Sequence, residues 1–130
     1  MTAVRLGSGA PWEAVVGYSR VVASADAAWV SGTTATVDGV VVHPGDAGAQ
    51  ARVALTTVAQ SLADAGFSLE DVVRTRVYVT DISRWQEVGR VHGEFFGGIR
   101  PATTMVQVAA LIDPAMLVEI EAEAVRGVGA

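Results

Sequence analysis

The chain has 130 residues, 51% apolar and 18% charged, which is enough apolar material for one hydrophobic core. All nine basic residues are arginine, and fourteen acidic residues bring the formal net charge to -5, which argues against a nucleic-acid binder. The absence of cysteine excludes disulfides and thiolate catalysis.

The first half of the chain is predicted to form two strands, a hairpin and a helix. Period-two alternation predicts strands over 15–22 and 28–36, and the Asp-Gly pair within 37–42 is the signature of a tight hairpin. A helix is expected to begin at Asp46 and to end before Gly66. Its inner face is marked by four apolar residues spaced three and four apart, namely Ala51, Leu55, Val58 and Leu62.

The second half is predicted to form a strand, a helix and two closing strands. The first strand covers 72–80, the helix begins at Asp81 or Ser83, and the closing strands cover 103–112 and 116–125. The inner stripe of this helix is predicted to contain Trp85, Val88, His92 and Phe95. The element order is therefore ββαβαββ.

No repeat, low-complexity tract or linker divides the sequence, so residues 1–130 are expected to form a single domain. The first 17 residues lack a basic segment followed by an apolar one, and Gln107, Asp113 and Pro114 interrupt the most apolar C-terminal stretch. We therefore expect a soluble, cytoplasmic protein that does not contact a membrane.

Alternation along the strands predicts a sheet with two different faces. One face should lie under the helices, and the other, called the helix-free face, should carry Arg74, Arg76, Tyr78, Glu119, Glu121 and Glu123. The strand after Pro101 is expected to add Thr103, Met105 and Gln107 to the helix-free face. Such a mixed surface is typical of a subunit interface with polar pockets, although a solvated sheet surface is the alternative.

Six separated segments resemble the RidA (YjgF) family of imine and enamine deaminases in order and spacing. They are GYSRVV, WVSGTTA, the helix after Asp46, AGFSLEDVVRTRVYVTDI, EFFGGIRPATTMVQVAAL and VEIEAEAV. The resemblance implies an α+β, chorismate-mutase-like fold with one mixed sheet and two helices packed on one face. It also implies a homotrimer whose sheets form a central barrel and whose ligand pockets lie between subunits, with no cofactor.

The resemblance also implies roles for individual residues. Glu119 matches the glutamate that positions or activates water, which makes it the expected general base for hydrating a C=N bond. Tyr18 matches a wall and hydrogen-bond donor of the pocket, and Ser31 matches a small polar contact. Glu121 lies two residues further along the same strand face as Glu119 and is a candidate for substrate binding.

Two further residues are candidates for the pocket from their own positions. Arg76 shares the predicted face of Glu119, where it would either bind an anion or form an ion pair with Glu119 or Glu121. His92 lies on the inner stripe of the second helix, where it would either pack as a core histidine or act as an acid or base near neutral pH.

The segment Pro101-Ala102-Thr103-Thr104 departs from the Pro-Ala-Arg-Ser motif of the deaminating family members. The resemblance implies that an arginine at position 103 would grip the carboxylate of a 2-imino acid, and Thr103 offers only one neutral hydroxyl in its place. Thr33, Gly89 and His92 also stand at positions where other residue types are common among RidA-family members. We therefore expect a different pocket and weak activity on simple 2-imino acids.

Two functions remain open. The chain is either a cofactor-free hydrolase or deaminase of a reactive imine, enamine or related metabolite, or a trimeric small-molecule binding or regulatory protein without catalysis. The expected partners are a small, carboxylate-bearing ligand and two further copies of the chain, with no nucleic acid. A metal site is not expected, because the two histidines are far apart in sequence and there is no cysteine.

Overall fold

The structure is a computed structural model that describes residues 3–127. The strands are β1 Val4–Leu6, β2 Val21–Ala23, β3 Ala27–Thr33, β4 Thr36–Val37, β5 Val40–Val41, β6 Val72–Val79, β7 Ala102–Gln107 and β8 Val118–Val125. Two α-helices, α1 Ala47–Asp64 and α2 Trp85–Phe96, accompany them. Within the described residues, six strands form one sheet in the order β1-β2-β3-β8-β6-β7. Only the pairing of β6 with β7 is parallel, so this sheet is mixed.

Helix α1 forms as the sequence predicts. The side chain of its N-cap residue, Asp46, accepts a hydrogen bond of 3.0 Å from Ala49 N, and Gly66 follows the helix with φ 85°. The four predicted inner residues are all fully buried: Ala51, Leu55, Val58 and Leu62. They pack in one core with β3, β6, β8 and α2, which confirms a mixed sheet with both helices on one face.

Helix α2 follows a short 3₁₀ turn over Ile82–Arg84, which is capped by the side chain of Asp81. Its buried residues are Val88, Val91 and Phe96. The prediction that Trp85 belongs to the inner stripe is wrong, because 53% of its surface is exposed. The buried stripe begins one turn after the first residue of the helix.

The segment before β2 is not a strand, so the strand predicted over 15–22 is wrong for most of its length. Residues Glu13–Gly17 form a π-helical turn, and Gly17 adopts φ 87°, which lies outside the strand region. Strand β2 begins only at Val21. The predicted Asp-Gly hairpin is confirmed between β4 and β5, where Asp38 and Gly39 both adopt positive φ.

The two faces of β6 and β8 alternate as predicted. Alternate residues of β8 are buried, and Glu119, Glu121 and Glu123 lie half-buried on the helix-free face. In β6 a register irregularity between Val72 and Arg74 puts Val72 in the core in place of Val73.

The predicted orientation of β7 is wrong. Its parallel register pairs Thr103 with Thr75 and Met105 with Val77, so the row containing Thr103, Met105 and Gln107 lies on the helix side of the sheet. Gln107 accordingly accepts a hydrogen bond of 2.9 Å from Ile82 N, in the turn before α2. Alternation separates the two rows of a strand, but the register with the neighbouring strand decides which row faces the helices.

Between residues 3 and 127, neither helix has the length and apolar character needed to span a bilayer.

Candidate active site

Glu119 lies on the helix-free face, directly against the backbone of Gly32. A Cβ atom added to Gly32 would come within 2.0 Å of Glu119 Oε2 and 2.9 Å of its Cδ, so the carboxylate occupies space that any larger residue would fill. The register between β3 and β8 shifts between Val30 and Thr33, which marks a β-bulge around Ser31 and Gly32. The bulge and the lack of a side chain on Gly32 together set the position of the Glu119 carboxylate.

The carboxylate of Glu119 is half-buried, and among residues 3–127 no group donates a hydrogen bond to it or forms an ion pair with it. Burial raises its pKa above the ordinary value for glutamate, Arg20 acts in the opposite direction, and nearby Glu121 raises it further. An unpartnered carboxylate with a raised pKa can accept a proton from a bound water, as a general base must.

Arg20, which directly precedes β2, also contacts Gly32. Its Nη2 donates a hydrogen bond of 2.6 Å to the Gly32 carbonyl oxygen. Its Nε is buried, and nothing in the described part of the chain accepts a hydrogen bond from it. Burial lowers the pKa of Arg20, while Tyr18, Glu13 and Glu119 raise it. Arg20 and Glu119 therefore belong to one cluster.

Two predicted pocket residues lie beside this cluster. Ser31 Oγ donates a hydrogen bond of 2.6 Å to the carbonyl oxygen of Ser19, which ties β3 to the segment before β2. Tyr18 is half-buried and lies close enough to Arg20 to influence its pKa. Ser31 directly precedes Gly32 in the chain and Tyr18 lies near Arg20, so both residues adjoin the cluster of Arg20 and Glu119.

Arg76 belongs to a separate ionic network on the same face. Its Nη1 lies 2.7 Å from Glu123 Oε1 and 3.6 Å from Glu121 Oε1, and Tyr78 donates a hydrogen bond of 2.6 Å to Glu121 Oε1. The hydrogen bond to Glu123 raises the pKa of Arg76. Arg76, Glu121 and Glu123 border a depression of about 220 Å³ that is also lined by Trp29 and Ser31. Arg76 therefore pairs with Glu121 and Glu123, and not with Glu119.

His92 and Thr103 meet on the helix side of the sheet. The hydroxyl of fully buried Thr75 lies 2.8 Å from both His92 Nε2 and Thr103 Oγ1, so the three side chains form one hydrogen-bonded chain. Burial lowers the pKa of His92, so its imidazole is neutral at neutral pH. The expectation that Thr103 shares a face with Glu119 and Arg76 is wrong.

The described residues thus present two polar clusters on opposite faces of the sheet. Glu119 and Arg20 meet at Gly32, and Thr103 and His92 meet at Thr75. In the part of the chain that the structure describes, no three histidine or acidic side chains come together in a way that could hold a metal ion.

Sequence reasoning missed Arg20 and Gly32. Arg20 lies within the GYSRVV segment, but nothing local shows that its guanidinium is buried. Gly32 could have been noticed, because a glycine inside a predicted strand often marks a bulge or the close approach of another group.

Comparisons with known proteins identify the family. A family model described as Endoribonuclease L-PSP matches residues 8–126. The chain belongs to the RidA (YjgF) family. The crystal structure of Rv2704 from Mycobacterium tuberculosis, a member of the YjgF/YER057c/UK114 family, is similar at 51% identity and a TM-score of 0.87, covering 95% of this chain and 99% of that one.

Two curated proteins extend the comparison within the RidA family. The uncharacterized protein SCO2049 of Streptomyces coelicolor is 41% identical over 123 residues, covering 95% of this chain and 92% of its own length. The 3-aminoacrylate deaminase RutC of Acinetobacter baylyi is 41% identical over 80 residues, covering 62% of this chain and 63% of its own length.

Proposed function

We propose that this RidA-family protein is a cofactor-free hydrolase that deaminates a small, reactive imine or enamine. The observation that supports this most strongly is Glu119, a half-buried carboxylate without a protein partner in residues 3–127 and with a raised pKa. The similarity to a deaminase named for 3-aminoacrylate supports the reaction class, because 3-aminoacrylate is an enamine that also carries a carboxylate.

The proposed chemistry uses Glu119 as the base. Its carboxylate accepts a proton from water while the water oxygen bonds to the imine carbon, and the electron pair of the C=N bond moves to nitrogen. Glu119 returns this proton to the nitrogen, which gives a carbinolamine. The hydroxyl proton of the carbinolamine then moves to the nitrogen by way of Glu119 as the C–N bond breaks, so ammonia leaves and a carbonyl group remains. An enamine first takes up a proton at carbon and loses one from nitrogen, which gives the imine. Tyr18 and Ser31 would line the pocket beside the reacting carbon.

We propose that the pocket is completed by a neighbouring copy in a homotrimer. Glu119 and Thr103 lie on opposite faces of the sheet, so one protomer cannot present both to the same ligand. Among residues 3–127, β7 is an edge strand that pairs only with β6, and Val106 on it and Trp29 on the helix-free face are 42% and 48% exposed. A neighbouring copy would cover these surfaces and bring His92 and Thr103 of one chain towards Glu119 of another.

The site differs from that of a simple 2-imino acid deaminase. Thr103 hydrogen-bonds to Thr75 and provides no positive charge for a substrate carboxylate. This residue also favours a second candidate function, in which the trimer binds a small metabolite at the same pocket without converting it. Glu121 and Arg76 would then stabilise the interface or contact the ligand through their ionic network.

Ammonia release separates the two functions. Imines and enamines generated in situ, including 2-iminobutyrate and 3-aminoacrylate, would be offered to the wild-type protein, to Glu119→Gln and to the control Glu123→Gln. Catalysis predicts that at least one compound releases ammonia faster with wild type than in buffer. It also predicts that Glu119→Gln loses about a hundredfold or more of this rate while Glu123→Gln keeps it. Ligand binding without faster ammonia release from any compound would support the second function.

A further inference from the structure

The guanidinium of Arg20 has unused hydrogen-bonding capacity in a half-buried position. A guanidinium has five N–H donors, and the contact with the Gly32 carbonyl oxygen at 2.6 Å uses one of them. The buried Nε has no acceptor within residues 3–127, and none of the described carboxylates lies within ion-pair distance of Arg20. A half-buried guanidinium with no direct ion pair and with unused donors is incompletely compensated, so a bound anion would be stabilised there.

The other arginines differ from Arg20 in this respect. Three of them are paired with glutamates: Arg52, Arg76 and Arg84. Arg126 donates to the carbonyl oxygens of Ala25 and Gly66 and lies over the ring of Phe67. Arg74 donates to the hydroxyl of Thr104 and Arg100 to the carbonyl oxygen of Gly97, and Arg5 and Arg90 are exposed. Arg76, which the sequence suggested as an anion binder, has its guanidinium committed to Glu123.

Arg20 lies where an anion-binding residue for this chemistry is needed. In a small imino or enamino acid the carboxylate is only one or two bonds from the reacting carbon, so the anion-binding residue and the base must be close. Arg20 and Glu119 both contact Gly32. The cavity of about 160 Å³ that Arg20 also lines is a separate one against α1, with neither Gly32 nor Glu119 in its lining, so the shared contact with Gly32 is what places Arg20 beside Glu119.

We propose that Arg20 binds the carboxylate of the substrate and so replaces the arginine that position 103 lacks. This inference rests on the proposed function and names the residue that makes the pocket selective for an anion. The favoured substrate is therefore a small imine or enamine that carries a carboxylate close to its reacting carbon.

Binding measurements with two stable probes test the proposal without requiring turnover. 2-Oxobutyrate is a carbonyl compound with a carboxylate, and 2-oxobutyramide is its neutral counterpart. Their affinities would be measured by calorimetry or NMR titration for wild type, Arg20→Gln, Arg20→Lys and the control Arg52→Gln, whose arginine pairs with Glu94 on the exposed surface of the helices. We expect wild type to prefer the carboxylate. Arg20→Gln should weaken carboxylate binding about tenfold to a hundredfold, the loss expected for a charge-assisted hydrogen bond, and should leave amide binding unchanged.

Arg20→Lys keeps the charge without the planar fork, so it should show a smaller loss of the same preference. If Arg20→Gln does not fold, the carboxylate preference of Arg20→Lys tests the proposal in its place. No carboxylate preference in wild type, an unchanged preference in the folded Arg20 variants, or an equal loss in Arg52→Gln would overturn the proposal. A wild-type protein that binds the carboxylate through Arg20 but releases no ammonia would contradict the proposed catalysis and leave this inference standing.

Discussion

Replacing Gly32 by alanine should displace the carboxylate of Glu119 and leave the fold intact. The new Cβ would lie 2.0 Å from Oε2, and an ordinary contact requires 3.4 Å, so the carboxylate must retreat by roughly 1.4 Å. The atom that must move is the end of a flexible side chain, and Gly32 does not adopt a positive φ, so alanine introduces no backbone strain. The perturbation therefore acts on the position of the proposed base.

A misplacement of about 1 Å in an active site can reduce the rate about a hundredfold, and we expect a loss of this order in kcat/KM for ammonia release by Gly32→Ala. Thermal unfolding and light scattering would check that the variant remains folded and assembled as wild type does. Gly93→Ala is the matched control, because its added Cβ meets nothing within 4 Å. It should keep wild-type activity and gain about 0.5–1 kcal/mol of stability, since Gly93 lies within α2. Wild-type activity in a folded Gly32→Ala variant would refute the role given to Glu119.

Two further predictions concern stability and assembly. Thr75→Val should lower the free energy of unfolding by about 1–3 kcal/mol in chemical denaturation, because it removes a buried hydroxyl that hydrogen-bonds to both His92 and Thr103. Thr104→Val, which loses only an exposed contact with Arg74, should change it far less, and equal effects would contradict this role of the Thr75 hydroxyl. Light scattering at micromolar concentration should give the mass of three chains, whereas a monomer would remove the proposed pocket between copies.

The sequence predicts the parts of the fold whose signals are local. The N-cap at Asp46, the Asp-Gly hairpin and the four inner residues of α1 all follow from short-range patterns. Glu119 was placed correctly on the helix-free face, because β8 alternates without interruption.

The errors arise where distant segments decide the structure. Thr103 was placed on the wrong face because its orientation depends on the parallel register with β6. The π-helical turn at Glu13–Gly17 replaced a predicted strand, since Gly17 takes a positive φ that alternation does not reveal. Arg20 escaped notice because its burial and its contact with Gly32 depend on how two strands and a bulge pack together.

The pH dependence of ammonia release tests most directly whether the carboxylate of Glu119 is the base. Its folded pKa is raised, so kcat/KM should fall as the pH drops through a value above 4.5, the ordinary pKa of glutamate. Glu121 raises this pKa, so Glu121→Gln should move the acid limb to lower pH, provided that the variant still turns over substrate. The account predicts this shift in kcat/KM profiles measured in parallel. An acid limb that stays in place or moves to higher pH in Glu121→Gln would contradict the account. So would a Glu119→Gln variant that keeps the wild-type rate and the wild-type acid limb.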